Sequence, residues 1–169
     1  MTQVKLLGAA AAAVALLAAA ACSSDSSSDQ AAAATGAGAA GGAGGLAGAA
    51  RPGSQEDLVA NIGDRVFFDT DSSVVRSDQR TTLDRQARWM QQYPQVAVQV
   101  EGHADERGTR EYNLALGQRR ANSARDLLVA GGVAGSRIST ISYGKDRPAA
   151  LGSDEQAWAQ NRRAVTVVR

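Results

Sequence analysis

The sequence has one cysteine, Cys22, and one histidine, His103, in 169 residues. A single thiol excludes an internal disulfide, and one histidine without a second histidine or a spare cysteine is a poor set of metal ligands. No serine lies in the context of a nucleophile elbow, and the glycines do not form a phosphate-binding loop between a strand and a helix. We therefore expect no enzyme activity, no metal and no other cofactor.

An excess of charge of one sign is also missing, since the formal net charge is +1. This balance argues against a nucleic-acid partner and against a broad surface for anionic membranes. Lysine is scarce, with only Lys5 and Lys145, so arginine supplies most of the basic groups. Guanidinium groups suit planar, two-pronged partners such as carboxylates. Arg162 and Arg163 are expected to anchor the last strand, one of them by pairing with a carboxylate such as Glu101.

No hydrophobic run reaches the ~20 residues that a membrane-spanning helix needs. The longest, residues 6–21, follows Lys5 and has the layout of an export signal. It ends in three alanines directly before Cys22, which resembles a bacterial lipobox in which the cysteine is acylated and becomes the mature N-terminus. Ala19 replaces the leucine that is usual there. We expect residues 1–21 to be a lipoprotein signal peptide; an ordinary cleaved signal, or an uncleaved anchor, with Cys22 incidental is the alternative.

Large apolar side chains are almost absent from the next segment, residues 22–55, which consists mainly of Ala, Gly, Ser and Asp. Such a segment cannot bury enough apolar surface to offset the entropy of ordering it. We predict a disordered tether with a root-mean-square reach on the order of 30 Å. The remainder, residues 56–169, has the size of one small domain with one core.

Hydrophobic periodicity predicts the fold of this domain. It indicates strands at 65–69, 95–103, 137–142 and 164–168, and helices from about 77 to before Pro94, from Thr109 to about Gly131, and around 153–159. The order β-α-β-α-β-(α)-β predicts an α/β (α+β) two-layer sandwich, with helices on one face of a small mixed sheet.

One charged residue lies in the column of the long helix that is expected to face the core. Positions 112, 116, 120, 124 and 128 lie in one column at i, i+4 spacing, and Arg120 is the only charged residue among them. An unpaired buried guanidinium costs several kcal/mol, so Arg120 must have partners. Arg119 falls on the outer face and is expected to be solvated.

Two interpretations of Arg120 are open. In the first, it forms an internal ion pair with Asp105 or Asp69 that orders the neighbouring loop. In the second, it holds the carboxylate of a ligand while Asp105 accepts the ligand's ammonium group. The sequence pattern favours neither.

Several motifs resemble one known family. They are FFDTD at 67–71, VEGHADERGT at 100–109, EYNLALGQRRAN at 111–122, SYGKDRPA at 142–149 and QNRRAV at 160–165. Together they resemble the OmpA C-terminal-like peptidoglycan-binding domains, and more narrowly those of the lipoproteins of the Tol–Pal system. The resemblance covers essentially all of residues 56–169, which makes this part an expected OmpA-like domain.

The resemblance implies non-covalent binding of peptidoglycan through the diaminopimelate of its stem peptide. It implies that Asp105 and Arg120 grip the free amino-acid end of that residue. The residues that would line the pocket are Phe68, Asp69, His103, Ala104 and Leu116.

The resemblance also implies partners and a location. TolB would be a protein partner, and acylated Cys22 would insert into outer-membrane lipid. Ser23 stands where an aspartate would favour the inner membrane, so the implied location is the outer membrane with the domain in the periplasm. The implied role is a link between outer membrane and cell wall that supports envelope integrity and cell division. A generic OmpA-like lipoprotein that acts as a protein-interaction module without TolB is the alternative.

Overall fold

The computed structural model describes residues 50–169, so the predicted signal peptide, Cys22 and most of the predicted tether lie outside the described residues. Helix α1 (Gln55–Asp57) continues into a π-helical turn (Leu58–Ile62), and a 3₁₀ turn (Gly135–Arg137) precedes the third strand. The other elements, in chain order, are β1 (Arg65–Phe67), α2 (Ser77–Gln92), β2 (Val98–His103), α3 (Arg110–Ala130), β3 (Ile138–Gly144), α4 (Glu155–Asn161) and β4 (Arg163–Val168). The predicted order of strands and helices is confirmed. Within residues 50–169, every helix is too short or too polar to span a bilayer.

The four strands form one mixed sheet in the order β1-β4-β2-β3. Strand β4 runs antiparallel to β1 and β2, whereas β2 and β3 are parallel. Strands β1, β2 and β3 therefore end at the same edge of the sheet, which is also the edge where β4 begins. Residues that follow β1 and β2 meet residues that precede β4 at this edge, although they are far apart in sequence.

Helices α2 and α3 pack together, α2 against β1 and α3 against β2, β3 and β4. The predicted alternation of β2 is confirmed, because Val96, Val98 and Val100 are all buried. They join a core to which β1, β4 and both long helices contribute, including Val66, Phe68, Leu83, Met90, Ala124, Leu128 and Ala164. This is the predicted two-layer sandwich.

Local signals place the ends of α3. The Thr109 hydroxyl accepts a hydrogen bond from the Tyr112 amide at 3.2 Å, which is the N-cap that the sequence predicts, and Gly131 is the C-cap. Helix α2 starts at Ser77 without a side-chain cap.

Helix α1 and its π-helical turn were not among the predicted elements, and a long-range contact explains why. The carboxylate of buried Asp57 accepts hydrogen bonds from the Trp89 indole at 2.8 Å and from the Gly53 amide at 2.9 Å. Gln55 also contacts the sheet, since its side-chain oxygen accepts from the Val168 amide at 2.7 Å. Trp89 and Val168 are distant in sequence from this helix, so these two contacts leave no trace in a local pattern.

Helix α3 approaches β2 backbone to backbone at two glycines. A Cβ atom added to Gly102 would lie 1.8 Å from the carbonyl oxygen of Gly117, and one added to Gly117 would lie 2.4 Å from Ser142 Oγ. No side chain fits between the backbones of α3 and β2 here, so glycine at both positions sets the distance between helix and strand.

We expect Gly102→Ala to lower the free energy of unfolding by about 3 kcal/mol or more, because the helix must move away from the strand to admit the methyl group. Chemical denaturation measures the effect. Gly135→Ala is the control: its Cβ would meet the movable end of Arg125 at 3.2 Å, and the expected change is within about 0.5 kcal/mol. Equal effects of the two substitutions would contradict the close approach.

Candidate ligand-binding site

A cavity of about 300 Å³ opens at the edge of the sheet where β1, β2 and β3 end. Its walls come from the loop after β1, the loop after β2 and the first two turns of α3. The lining residues are Thr70, Asp71, Asp105, Arg107, Gly108, Tyr112, Asn113 and Leu116. Two of the predicted site residues, Asp105 and Leu116, therefore line the cavity itself.

Arg120 lies behind this cavity with its side chain fully buried. Its guanidinium donates three hydrogen bonds to main-chain carbonyl oxygens: Nε to Ser72 at 2.8 Å, Nη1 to His103 at 2.8 Å and Nη2 to Asp69 at 3.1 Å. The guanidinium carbon of Arg120 lies 5.3 Å from the centroid of the Phe68 ring, within range of a cation–π contact. The arginine thus joins the loop after β1 to the end of β2.

The first interpretation of Arg120, an internal ion pair with Asp105 or Asp69, is wrong in its partners. Among residues 50–169, no salt bridge joins Arg120 to Asp105 or to the carboxylate of Asp69, and carbonyl dipoles take that place. A guanidinium has five N–H groups, and three are used, so two have no acceptor in the described part of the chain. Burial lowers the pKa of Arg120 to about 10, while the nearby charge of Asp105 opposes the shift, and the group stays charged at neutral pH.

Asp105 carries one of the two negative charges that line the cavity, the other being Asp71. The carboxylate of Asp105 is bound by Arg107, with Nη2 at 2.6 Å from Oδ2, and lies 3.5 Å from Nη1 of Arg162. Burial alone would raise the pKa of Asp105, but the hydrogen bonds from Arg107 outweigh it and keep the pKa below its ordinary value. The carboxylate is therefore ionised at neutral pH and can attract a cation.

The other predicted pocket residues surround Arg120 with backbone as much as with side chains. Phe68, His103 and Ala104 are buried, and the Ala104 amide donates to the Gly144 carbonyl at 2.8 Å. The Asp69 carboxylate is exposed and lies 3.5 Å from Arg76, so its main-chain carbonyl is the part that meets Arg120. Among these residues, Asp69 and His103 contact Arg120 through their main-chain carbonyl groups.

Tyr112 corrects the predicted core column. Leu116, Arg120, Ala124 and Leu128 are buried as expected, but Tyr112 is 43% exposed and lines the cavity. Its hydroxyl donates to the carboxylate of Asp71. Asp71 has a φ of 56°, in the left-handed region that few residues other than glycine adopt. The first turn of α3 therefore faces the cavity and not the core.

Arg162 and Arg163 anchor β4, and Arg162 pairs with carboxylates as predicted, although with Asp105 and Glu155 and not with Glu101. Within residues 50–169, neither arginine forms a salt bridge to Glu101. Arg163 donates to the carbonyl of Arg147 at 3.2 Å. Arg162 donates to the carbonyl of Phe68 at 3.2 Å and to Glu155 at 2.5 Å.

Four residues of this site were missed by the sequence analysis: Asp71, Arg107, Tyr112 and Arg162. All four lie in motifs quoted above: Asp71 in FFDTD, Arg107 in VEGHADERGT, Tyr112 in EYNLALGQRRAN and Arg162 in QNRRAV. The contact between Asp105 and Arg162 joins segments more than 50 residues apart and depends on β4 lying beside β2. No local pattern could have revealed it.

Comparisons with known proteins identify the family of this chain. The sequence matches the OmpA family over residues 67–162. It is 67% identical over 122 residues to the peptidoglycan-associated lipoprotein of Mesorhizobium japonicum, covering 72% of this chain and 73% of that one. The counterpart from Rhizobium meliloti is 62% identical and is covered to 69% of its length. The chain belongs to the OmpA family and, within it, to the peptidoglycan-associated lipoproteins.

Solved structures support the same assignment. The crystal structure of the peptidoglycan-associated lipoprotein from Burkholderia pseudomallei is 44% identical, with a TM-score of 0.61, over 63% of this chain and 90% of that one. The C-terminal domain of Helicobacter pylori MotB shares the fold, with a TM-score of 0.59 at 24% identity over 63% of this chain and 84% of that domain.

His103 lies where β2 ends, and its ring is buried. Neither ring nitrogen has a hydrogen-bond partner among the described residues, and the ring centroid lies 5.6 Å from that of Tyr143. Burial, with the charge of Arg163 as a smaller cause, lowers the pKa of His103 to about 4. The ring is therefore neutral in the folded domain at pH 5 to 7. Residues 50–169 contain no group of three or more His, Cys, Asp or Glu side chains that could hold a metal ion.

We expect the free energy of unfolding to fall as the pH decreases from about 6.5 to 4. In that range the unfolded chain protonates His103 and the folded chain does not, so the unfolded state gains stability. The expected loss is about 2 kcal/mol, measured by urea denaturation at several pH values. His103→Phe should flatten the curve between pH 6.5 and 5, because His103 is the only histidine. A wild-type curve that is already flat there would contradict the buried neutral ring.

Proposed function

We propose that this protein is an outer-membrane lipoprotein of the Tol–Pal system that holds peptidoglycan without a covalent bond. The proposed ligand is the diaminopimelate of the stem peptide, whose free end carries one ammonium and one carboxylate group. The observation that supports this most is the cavity at the sheet edge, which sets the ionised carboxylate of Asp105 at its wall and the buried guanidinium of Arg120 behind it. A zwitterion needs one group of each sign.

In the proposed complex, Asp105 accepts the ligand's ammonium group, and the two N–H groups of Arg120 that lack an acceptor receive its carboxylate. Leu116 packs against the aliphatic part of the ligand. Phe68, Asp69, His103 and Ala104 hold Arg120 and the walls in position. The name of the relatives that are 67% and 62% identical is consistent with a peptidoglycan ligand.

The proposed link to the outer membrane runs through acylated Cys22 and the predicted tether of residues 22–55. Each buried methylene of an acyl chain contributes ~0.8 kcal/mol, so several chains give a durable attachment. The wall-binding domain would then lie in the periplasm, and the protein would support envelope integrity and cell division. TolB is the proposed protein partner, and retention of purified TolB on the immobilised full chain tests this part.

One observation favours a second candidate, a protein-interaction module that binds no wall. Both charged residues of the site have partners within the domain: Arg120 through three carbonyl groups and Asp105 through Arg107 and Arg162. A site satisfied in this way would serve only to order the loops. Binding to purified cell-wall sacculi separates the two candidates.

We expect the full chain in detergent to co-sediment with sacculi and Asp105→Asn to weaken this binding at least tenfold, because the ligand ammonium loses its counter-charge. Free diaminopimelate should compete with the sacculi, and 1,5-diaminopentane, which lacks both carboxylates, should compete less. Arg120→Lys should also weaken binding, since an ammonium cannot reproduce the fork of a guanidinium.

Arg119→Lys is the matched control, because Arg119 is the exposed neighbour of Arg120 on the same helix. It should bind sacculi like the wild type. Circular dichroism and the melting temperature establish that each variant is folded. Undiminished co-sedimentation of a folded Asp105→Asn protein would favour the interaction module.

For the lipid attachment, we expect Cys22→Ser to abolish partition into the detergent phase of a phase-separating detergent, since serine accepts no thioether-linked lipid. The wild-type chain, expressed in a bacterium that processes lipoproteins, should enter that phase. Mass spectrometry of the N-terminal peptide gives an independent readout. A wild-type chain found only in the aqueous phase would contradict the proposal.

A further inference from the structure

Asp105 lies between two arginines that differ in their access to solvent. The side chain of Arg107 is 39% exposed, whereas that of Arg162 is only 7% exposed. Both point at the same carboxylate, but only Arg107 lines the cavity. One cation is therefore fixed in the interior, and the other lies at the mouth, where a ligand arrives.

In the free domain Arg107 fills the acceptor positions of Asp105 that a ligand would need. Its backbone amide and its Nε both donate to Oδ1 at 3.2 Å, and its Nη2 donates to Oδ2 at 2.6 Å. A carboxylate offers about four lone-pair directions, and Arg107 uses three. While the guanidinium remains, an ammonium group would find one free acceptor direction on Asp105 and would be repelled by the like charge of Arg107.

The position of Arg107 permits it to leave. Its guanidinium carbon lies 4.2 Å from the centroid of the Trp158 ring, and Nη2 makes a long contact of 3.4 Å to the Thr70 hydroxyl on the facing wall. Rotation against the face of Trp158 keeps the cation–π contact while the bonds to Asp105 break. The guanidinium is 39% exposed and stays in reach of solvent as it leaves, while the incoming ammonium group takes its place on the buried carboxylate of Asp105.

Arg162 is placed to keep Asp105 neutralised during the exchange. Its Nη1 is buried and has no hydrogen-bond partner among the described residues, although it lies 3.5 Å from Oδ2 of Asp105. A small rotation of the carboxylate would give this N–H its acceptor. A buried donor without a partner is unfavourable, and the rotation would recover part of its missing hydrogen bonding.

We propose that Arg107 selects the ligand by exchanging ion pairs: the ligand's ammonium group replaces Arg107 on Asp105, and the released guanidinium binds the ligand's carboxylate. This inference rests on the proposed function, since it concerns the same cavity. No covalent bond changes, and every charge keeps a partner. Arg107 thus adds a second cation on the solvent side to the one that Arg120 offers from behind.

The exchange makes the site specific for amino-acid zwitterions. A ligand with an ammonium group alone would leave Arg107 without a counter-ion and close to a like charge. A ligand with a carboxylate alone would have no group to replace Arg107 on Asp105. Only a ligand that carries an ammonium and a carboxylate group on the same carbon can open the pair of Arg107 and Asp105.

Isothermal titration calorimetry of the full chain in detergent micelles tests the exchange with three probes: meso-diaminopimelate, 1,5-diaminopentane, which lacks the carboxylates, and pimelate, which lacks the amines. The wild type should bind diaminopimelate at least tenfold more tightly than either analogue. In Arg107→Gln, 1,5-diaminopentane should bind more tightly than to the wild type. The preference for diaminopimelate over it should fall at least tenfold.

Arg110→Gln is the matched control. It removes an exposed arginine that pairs with Asp146 at 2.7 Å and does not line the cavity, and it should keep the wild-type preference. An unchanged preference in a folded Arg107→Gln protein, with diaminopimelate still bound by the wild type, overturns the exchange and leaves the proposed function in place. If diaminopimelate neither binds the wild type nor competes with sacculi, both the exchange and the proposed function are overturned.

Discussion

The buried guanidinium of Arg120 is the interaction on which the geometry of this edge of the sheet depends. A charge so deeply buried costs several kcal/mol unless it has partners, and its partners here are carbonyl groups of Asp69, Ser72 and His103. Two of these belong to the loop after β1 and one ends β2. Because one planar group binds all three, it fixes the loop and the strand relative to each other and to α3. The cavity exists in the gap that this arrangement leaves.

The close approach of α3 to β2 makes this arrangement possible. Gly102 and Gly117 meet backbone to backbone, and each is followed three residues later by a charged residue of the site. Asp105 comes three residues after Gly102, where the strand has ended. Arg120 comes three residues after Gly117, nearly one turn further along the same face of the helix. Larger side chains at the two glycines would push the helix away and separate the carboxylate from the guanidinium. Packing of the smallest residues therefore controls the distance between the two charges.

The sequence was sufficient for the fold, and it pointed to Asp105 and Arg120 as a proposed charged pair while missing Arg107 and Arg162. The alternation of β2, the Thr109 cap and the glycines after α3 are local signals, and the structure follows them. Arg120 could be identified because a single charge stood in an apolar column. Its partners could not, because main-chain carbonyl groups have no sequence signature. The same holds for Arg162, which reaches Asp105 only because β4 lies between β1 and β2. Tyr112 was misassigned because i, i+4 spacing cannot tell where a helix extends beyond the sheet that it covers.

The three arginines near Asp105 show how burial separates two tasks that the same side chain can perform. Removing one partner of a buried ion pair costs about 3–5 kcal/mol, whereas an exposed pair contributes about 0–1 kcal/mol. Arg120 and Arg162 are buried, so their contacts are expensive to break and they hold the walls. Arg107 is partly exposed and rests on Trp158, so it can leave the buried carboxylate of Asp105 when a ligand cation takes its place. A site that must recognise a charged ligand without distorting the domain needs both kinds of cation. Their different depths provide this, because the charge that moves is not one of the charges on which the fold depends.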